Sequence, residues 1–178
     1  MKPEHRYWIG SLAAAALVLG LVAPLGQASL AAGAIIYVDA DASGAADGTS
    51  WADAFIELQP ALEAAVSGDQ IWVAAGIYKP TVEHGGTGDR YRSFQMKNDV
   101  AIYGGFDPLV GDIAWGDRDW EANQTTLSGD LNGNDEPNFT NYTENSYHVF
   151  YQPVGTNLDE SAILDGFTIT GGNANGLG

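Results

Sequence analysis

The densest set of oxygen ligands in the chain is the run Asp130-Leu131-Asn132-Gly133-Asn134-Asp135-Glu136. Asp130, Asn132, Asn134 and Glu136 stand at alternate positions, the spacing at which a tight loop turns its side chains around calcium. The run departs from an EF-hand loop, because Gly133 comes at the fourth position instead of the sixth and no Glu stands at the twelfth. The same residues also make an ordinary solvated acidic turn. Asp39, Asp41 and Asp47 are a second carboxylate group, able to meet on one ion only if their loop folds back. Turn formation by Asp and Gly is the plainer reading of those three.

Trp115 and Trp120 bracket Asp117 and lie beside Glu121, an arrangement in which indole faces could stack on sugar C–H surfaces with acids at hand. The alternative is that both tryptophans fold under their loop as a small core, since large apolar rings are usually covered. Paired carboxylates for glycoside hydrolysis require a spatial separation that sequence does not give. His84 and His148 are too far apart in the chain to form a metal motif, and His148 reads as a structural residue of a strand. No Gly-x-Ser-x-Gly is present, and no Gly-Lys-Ser/Thr follows the Gly-rich turns. The absence of cysteine excludes thiol chemistry and disulfide staples.

These residues sit on loops, and the elements that must position them are short strands. In Gly68-Asp69-Gln70-Ile71-Trp72-Val73-Ala74-Ala75-Gly76-Ile77-Tyr78, the residues Ile71, Val73, Ala75 and Ile77 share one face at a period of two. Ala34–Asp39, Val100–Phe106, Thr125–Gly129, Tyr147–Tyr151 and Phe167–Gly172 are similar runs, most of them closed by Gly. From Ile71 to Val100, Leu127, Val149 and Ile169 the steps are 29, 27, 22 and 20 residues, a loose repeat of one strand per coil that points to a solenoid. Between Trp51 and Val66 the apolar residues Trp51, Phe55, Leu58, Leu62 and Ala65 recur at helical spacing after a Ser50 N-cap, with Pro60 as an interruption. That helix is expected to cap the open end of the first coil.

The chain opens with Lys2 and Arg6, continues with a 17-residue apolar run from Ile9 to Leu25, and then turns to small residues. This order predicts a secretory signal peptide over residues 1–31, with cleavage after Ala28 or Ala31, and a domain over residues 32–178. No membrane span is expected after cleavage, because no second apolar run of that length exists. The net charge is −16, and removing residues 1–28 takes away Lys2, Arg6 and Glu4, leaving the balance one unit more negative. Such a surface excludes nucleic acid as a partner, and it repels an anionic polysaccharide unless divalent cations bridge the two.

Ile36-Tyr37-Val38-Asp39, Asp47-Gly48-Thr49-Ser50-Trp51, Leu58-Gln59-Pro60-Ala61-Leu62 and the Gly68–Tyr78 stretch together resemble the N-terminal cap region of secreted proteins of the pectin-lyase-like superfamily. Ile163-Leu164-Asp165-Gly166-Phe167-Thr168-Ile169-Thr170-Gly171-Gly172-Asn173-Ala174 resembles the first full repeat of that group, and is similar to the Gly-Gly repeats of polymorphic outer-membrane proteins. The resemblance implies a mostly β fold, a right-handed single-stranded parallel β-helix (solenoid) with an N-terminal capping helix. The chain ends in a Gly-rich turn with no closing element, so the solenoid is expected to be truncated at its C-terminus, with the remainder of a longer chain as its neighbour.

The superfamily includes polysaccharide lyases, glycoside hydrolases, adhesins and surface proteins, so the fold alone does not choose among them. In the lyases the resemblance places calcium-holding Asp residues and an Arg or Lys base on middle coils, which would follow Gly178. No residue is therefore carried over as catalytic. The expectation is an exported scaffold, adhesion or carbohydrate-contacting module at the outer cell surface or secreted beyond it, with a polysaccharide or cell-surface partner. The alternative is the N-terminal part of a pectate-lyase-like polysaccharide lyase or a glycoside hydrolase. The expected contacts are Trp115 and Trp120 for carbohydrate, and Asp130, Asn132, Asn134 and Glu136 for calcium.

Overall fold

In the computed structural model, which describes residues 33–176, the alternating runs form seven short strands and one helix: β1 (Ile35–Val38), α1 (Leu58–Ala64), β2 (Gln70–Ala74), β3 (Gly76–Tyr78), β4 (Ala101–Phe106), β5 (Thr125–Ser128), β6 (Ile163–Asp165) and β7 (Phe167–Thr170). All strand pairs are parallel. One sheet has the order β1-β2-β4-β6 and the other β3-β5-β7. The signal-peptide expectation falls on residues outside those described. No helix among the described residues is long and apolar enough to cross a membrane.

This architecture corrects the expected right-handed parallel β-helix with one strand per coil: the described residues form two small parallel sheets, of four and three strands, and show no solenoid. The expected stack of Ile71, Val100, Leu127, Val149 and Ile169 is split between them. Ile71 pairs with Ile36 and Ile102 in the first sheet, whereas Leu127 pairs with Tyr78 and Ile169 in the second. Val149 belongs to no strand; its neighbour Phe150 makes only an isolated bridge to Phe94.

The central stretch is also two strands instead of one, turned at Ala75, whose amide donates to Phe106 O at 2.7 Å. Gly76 follows with φ 151°, in a region open to glycine. The corner inverts the alternation. Ile71 and Val73 are fully buried, but Ile77 is 66% exposed and Tyr78 turns inward instead. A single residue, Gly166, likewise separates β6 from β7. A bulge marks the β2–β4 pairing, where Trp72 faces Tyr103 but Ala74 faces Phe106, so one extra residue is taken up at Gly104-Gly105. Gly105 has φ 97°, and a Cβ there would stand 2.8 Å from the Trp120 backbone.

The expected capping helix over Trp51–Val66 is shortened to the seven residues Leu58–Ala64. The cause is Pro60, which lacks an amide hydrogen and collides with the carbonyl four residues back, so it is tolerated only in a first turn. Ser50 does not cap the helix; its hydroxyl accepts from the Asp53 amide and donates to the Asp53 carboxylate. Upstream, Phe55 runs alongside β1, donating to Tyr37 O and accepting from Asp39 N at 3.0 and 2.9 Å. Leu58, Ala61 and Leu62 of α1 enter the core with Val38, Ile71, Val73, Phe94, Val100, Ile102 and Leu127. Each such Leu, Ile, Val or Phe side chain contributes about 1.5–3 kcal/mol by leaving water.

The opposite face of the first sheet carries an aromatic cluster. Trp72 stacks on Phe106 with centroids 4.6 Å apart and planes within 9°, and Trp51 packs against both Phe106 and Tyr37. β2 is thus covered on both sides.

Candidate functional site

Phe94 fixes one wall of a cleft lined by tyrosines. Its amide donates to Val149 O, and its carbonyl accepts from Tyr151 N, which pins residues 147–151 beside residues 82–93. Val149 and Phe94 bury their side chains, leaving His148 exposed at the surface. Opposite them, a hairpin closed by the Glu83–Arg92 bridge carries His84 on one arm and the 3₁₀ turn Asp89–Tyr91 on the other. Gly85 lies under Tyr151 so closely that a Cβ would stand 2.5 Å from the ring, and its φ of 80° also favours glycine.

The result is a cleft of about 410 Å³ lined by Tyr91, Tyr147, Tyr151, His84, His148 and Arg90, among others. Tyr91 meets Tyr147 edge to face at 5.0 Å, and Arg90 lies over the Tyr147 ring at 4.0 Å. Arg90 is largely committed to structure: it donates to Asn145 O, Asn173 O and Asn175 Oδ1 at 2.7–2.9 Å. His84 Nδ1 lies 2.9 Å from Ser93 O, leaving Nε2 as the ring atom not engaged by that contact. Two aromatic walls with imidazole and phenol edges can stack an apolar ring face and hydrogen-bond its hydroxyls.

The expected carbohydrate contacts are placed apart from this cleft. Trp120 is 54% exposed and borders a more polar groove of about 580 Å³ with Glu121, Gln124, Asp165 and Phe167. Trp115 does not line that groove. It is 50% exposed but packs on Tyr103 at 4.7 Å and Trp72 at 5.9 Å, extending the aromatic cluster outward. Asp117 accepts from the Ala114 amide, and Asp165 is ion-paired with Arg118.

Of the residues that the spacing of the acidic loop indicates, Asp130 meets two further carboxylates. Asn132, Asn134 and Glu136 are exposed, and the carboxylates brought together are Asp130, Asp135 and Glu144, each offering an oxygen within 4.8 Å of the others. Asp130 Oδ1 accepts from the amides of Gly133 and Asn134, and Oδ2 accepts from that of Asp135. Burial pushes the Asp130 carboxyl up, but the amides of Asp135, Asn134 and Gly133, with the Lys79 ammonium, outweigh it and hold the group below the usual carboxylate range. Asn145, fully buried, donates from Nδ2 to Asp135 Oδ2 at 2.8 Å.

Asp39, Asp41 and Asp47 are not gathered in this way. Asp39 accepts from the Asp41 amide, and Asp47 accepts from the amide and hydroxyl of Thr49, whose hydroxyl lowers its carboxyl. The three are turn formers.

Sequence spacing kept His84 and His148 apart, yet both line one cleft; nothing in the local pattern marks that meeting. Glu144 was missed because it lies a full loop away from Asp130. No family model, curated protein or solved structure matches the chain.

Proposed function

We propose that the chain is an exported module of the cell exterior that contacts neutral carbohydrate through the tyrosine cleft, acting as a scaffold or adhesion element. The observation that carries this reading is the cleft of about 410 Å³ walled by Tyr91, Tyr147 and Tyr151 with two imidazoles at its edge. Phenol rings stack on the C–H face of a pyranose, and His84, His148 and the phenol hydroxyls can pair with its hydroxyls. A net charge of −16 disfavours a polyuronate and leaves neutral glycans as the fitting class. The basic, apolar and small-residue order over residues 1–31 supports export. No catalytic role is assigned to any residue.

The test is calorimetric titration of the full chain with a panel of neutral oligosaccharides, repeated for Tyr91→Ala and Tyr151→Ala. Binding by the wild type, weakened about tenfold or more in each variant at unchanged melting temperature, is expected. Absence of wild-type binding across the panel, or binding by either variant as tight as that of the wild type, overturns the reading.

A further inference from the structure

Three carboxylates whose oxygens lie within 4.8 Å of one another repel unless something of opposite charge stands between them. Lys79 approaches from one side, but its Nζ donates to Leu131 O at 3.3 Å. It offsets a single charge of the three. The remaining two match a divalent cation.

A second observation is independent of the charges. Asp135 Oδ1 and Glu144 Oε1 are shielded from solvent and have no hydrogen-bond partner among the described residues. The same holds for Oδ1 of Asn145, a residue with no exposure at all, whose amide is held against Asp135 by its Nδ2. Buried oxygens of this kind carry a desolvation cost that a ligand removes. Three acceptors of one chemistry, with no donor supplied to any of them, describe a place for a hard cation.

We propose that Asp130, Asp135, Glu144 and Asn145 Oδ1 form a calcium site. Calcium takes oxygen ligands at about 2.3–2.6 Å, so two ligands on opposite sides of one ion stand about 4.6–5.2 Å apart, and the observed spread lies within that limit. Asp130 enters through Oδ2, which accepts a single amide, while Oδ1 accepts two and holds the loop. The ligand set is mixed carboxylate and amide and comes from both ends of a long loop. Such a site suits calcium, which tolerates irregular geometry, better than magnesium, which demands a regular octahedron and keeps its waters. Asn132, Asn134 and Glu136, though better spaced in sequence, are exposed and lie outside the proposed set.

The experiment uses the full chain, stripped with a chelator and titrated with calcium chloride alone, read by calorimetry and by melting temperature. One class of site and a rise in melting temperature are expected for the wild type, with magnesium at the same concentration giving a much smaller shift. Glu144→Gln and Asp135→Asn should each weaken calcium binding about tenfold or more through the lost ligand charge, and Glu136→Gln should bind as the wild type does. No calcium-dependent heat or melting shift in the wild type overturns the site, as does unchanged affinity in Glu144→Gln or a loss confined to Glu136→Gln. If Asp135→Asn does not fold, Glu144→Gln and the wild-type titration decide the matter. Because the probe is the metal alone, the outcome is distinguishable from any failure to bind sugar.

Discussion

β2 and β7 are both short parallel strands rich in β-formers, yet four of the five residues of β2 are buried and none of the four of β7 is. Ile71 has no exposure, while Ile169 is 52% exposed. The difference lies in their neighbours. β2 is flanked by β1 and β4, with α1 and the aliphatic core on one side and the Trp72–Phe106 stack on the other. Among the described residues β7 pairs with β5 alone. Burial in this molecule follows what covers a strand, and an Ile contributes to stability according to its covering more than to its own β-propensity.

The sharpest way to break that comparison is Trp72→Asp, which puts a carboxylate between Phe106 and Trp115. Loss of soluble folded protein is expected, a cost of about 4 kcal/mol or more. Wild-type yield and melting would show that the aromatic face is not packed. A graded test pairs Ile102→Ala with Ile169→Ala. The first removes a fully buried side chain and should cost about 2–5 kcal/mol, whereas the second should stay within about 1 kcal/mol in denaturant titration. Equal costs would mean that β7 is as well covered as β4.

The smallest effect concerns Asp39, which is 7% exposed beside β1. Burial pushes its carboxyl up, the Asp41 amide opposes this, and the Asp41 and Asp107 charges add to the rise. A raised carboxyl binds its proton more tightly folded than unfolded, so its ionisation lowers stability as pH climbs from the ordinary carboxylate range through the folded value. Asp39→Asn keeps the acceptor for the Asp41 amide and removes that penalty. A rise of about 2 °C in melting temperature at neutral pH is expected, shrinking as pH falls below the carboxylate range. A gain that persists undiminished in acid would place its origin elsewhere.

The same contrast explains what the sequence made legible. The alternating runs around Ile36, Ile71, Ile102, Leu127 and Ile169 are strands, because period two and closing glycines are local signals. Which strand pairs with which was not readable. Parallel partners are separated by long loops, and the corner at Ala75 moves half of one apparent strand into the other sheet. Trp51 and Phe55 matched a helical stripe, but Pro60 must sit in a first turn, so the helix starts only at Leu58 and Phe55 pairs along β1 instead. At the acidic loop, alternation favoured exposed neighbours of Asp130, while the carboxylate that joins it across space is Glu144.

The one-residue corners at Ala75 and Gly166 have a consequence for motion. β2 passes into β3, and β6 into β7, with no slack between the sheets, so neither sheet can slide in register without dragging the other. Opening one should therefore open both, and the amides of Ile71 and Leu127, although in different sheets, should exchange their hydrogens with a common free energy, as members of one cooperative unit.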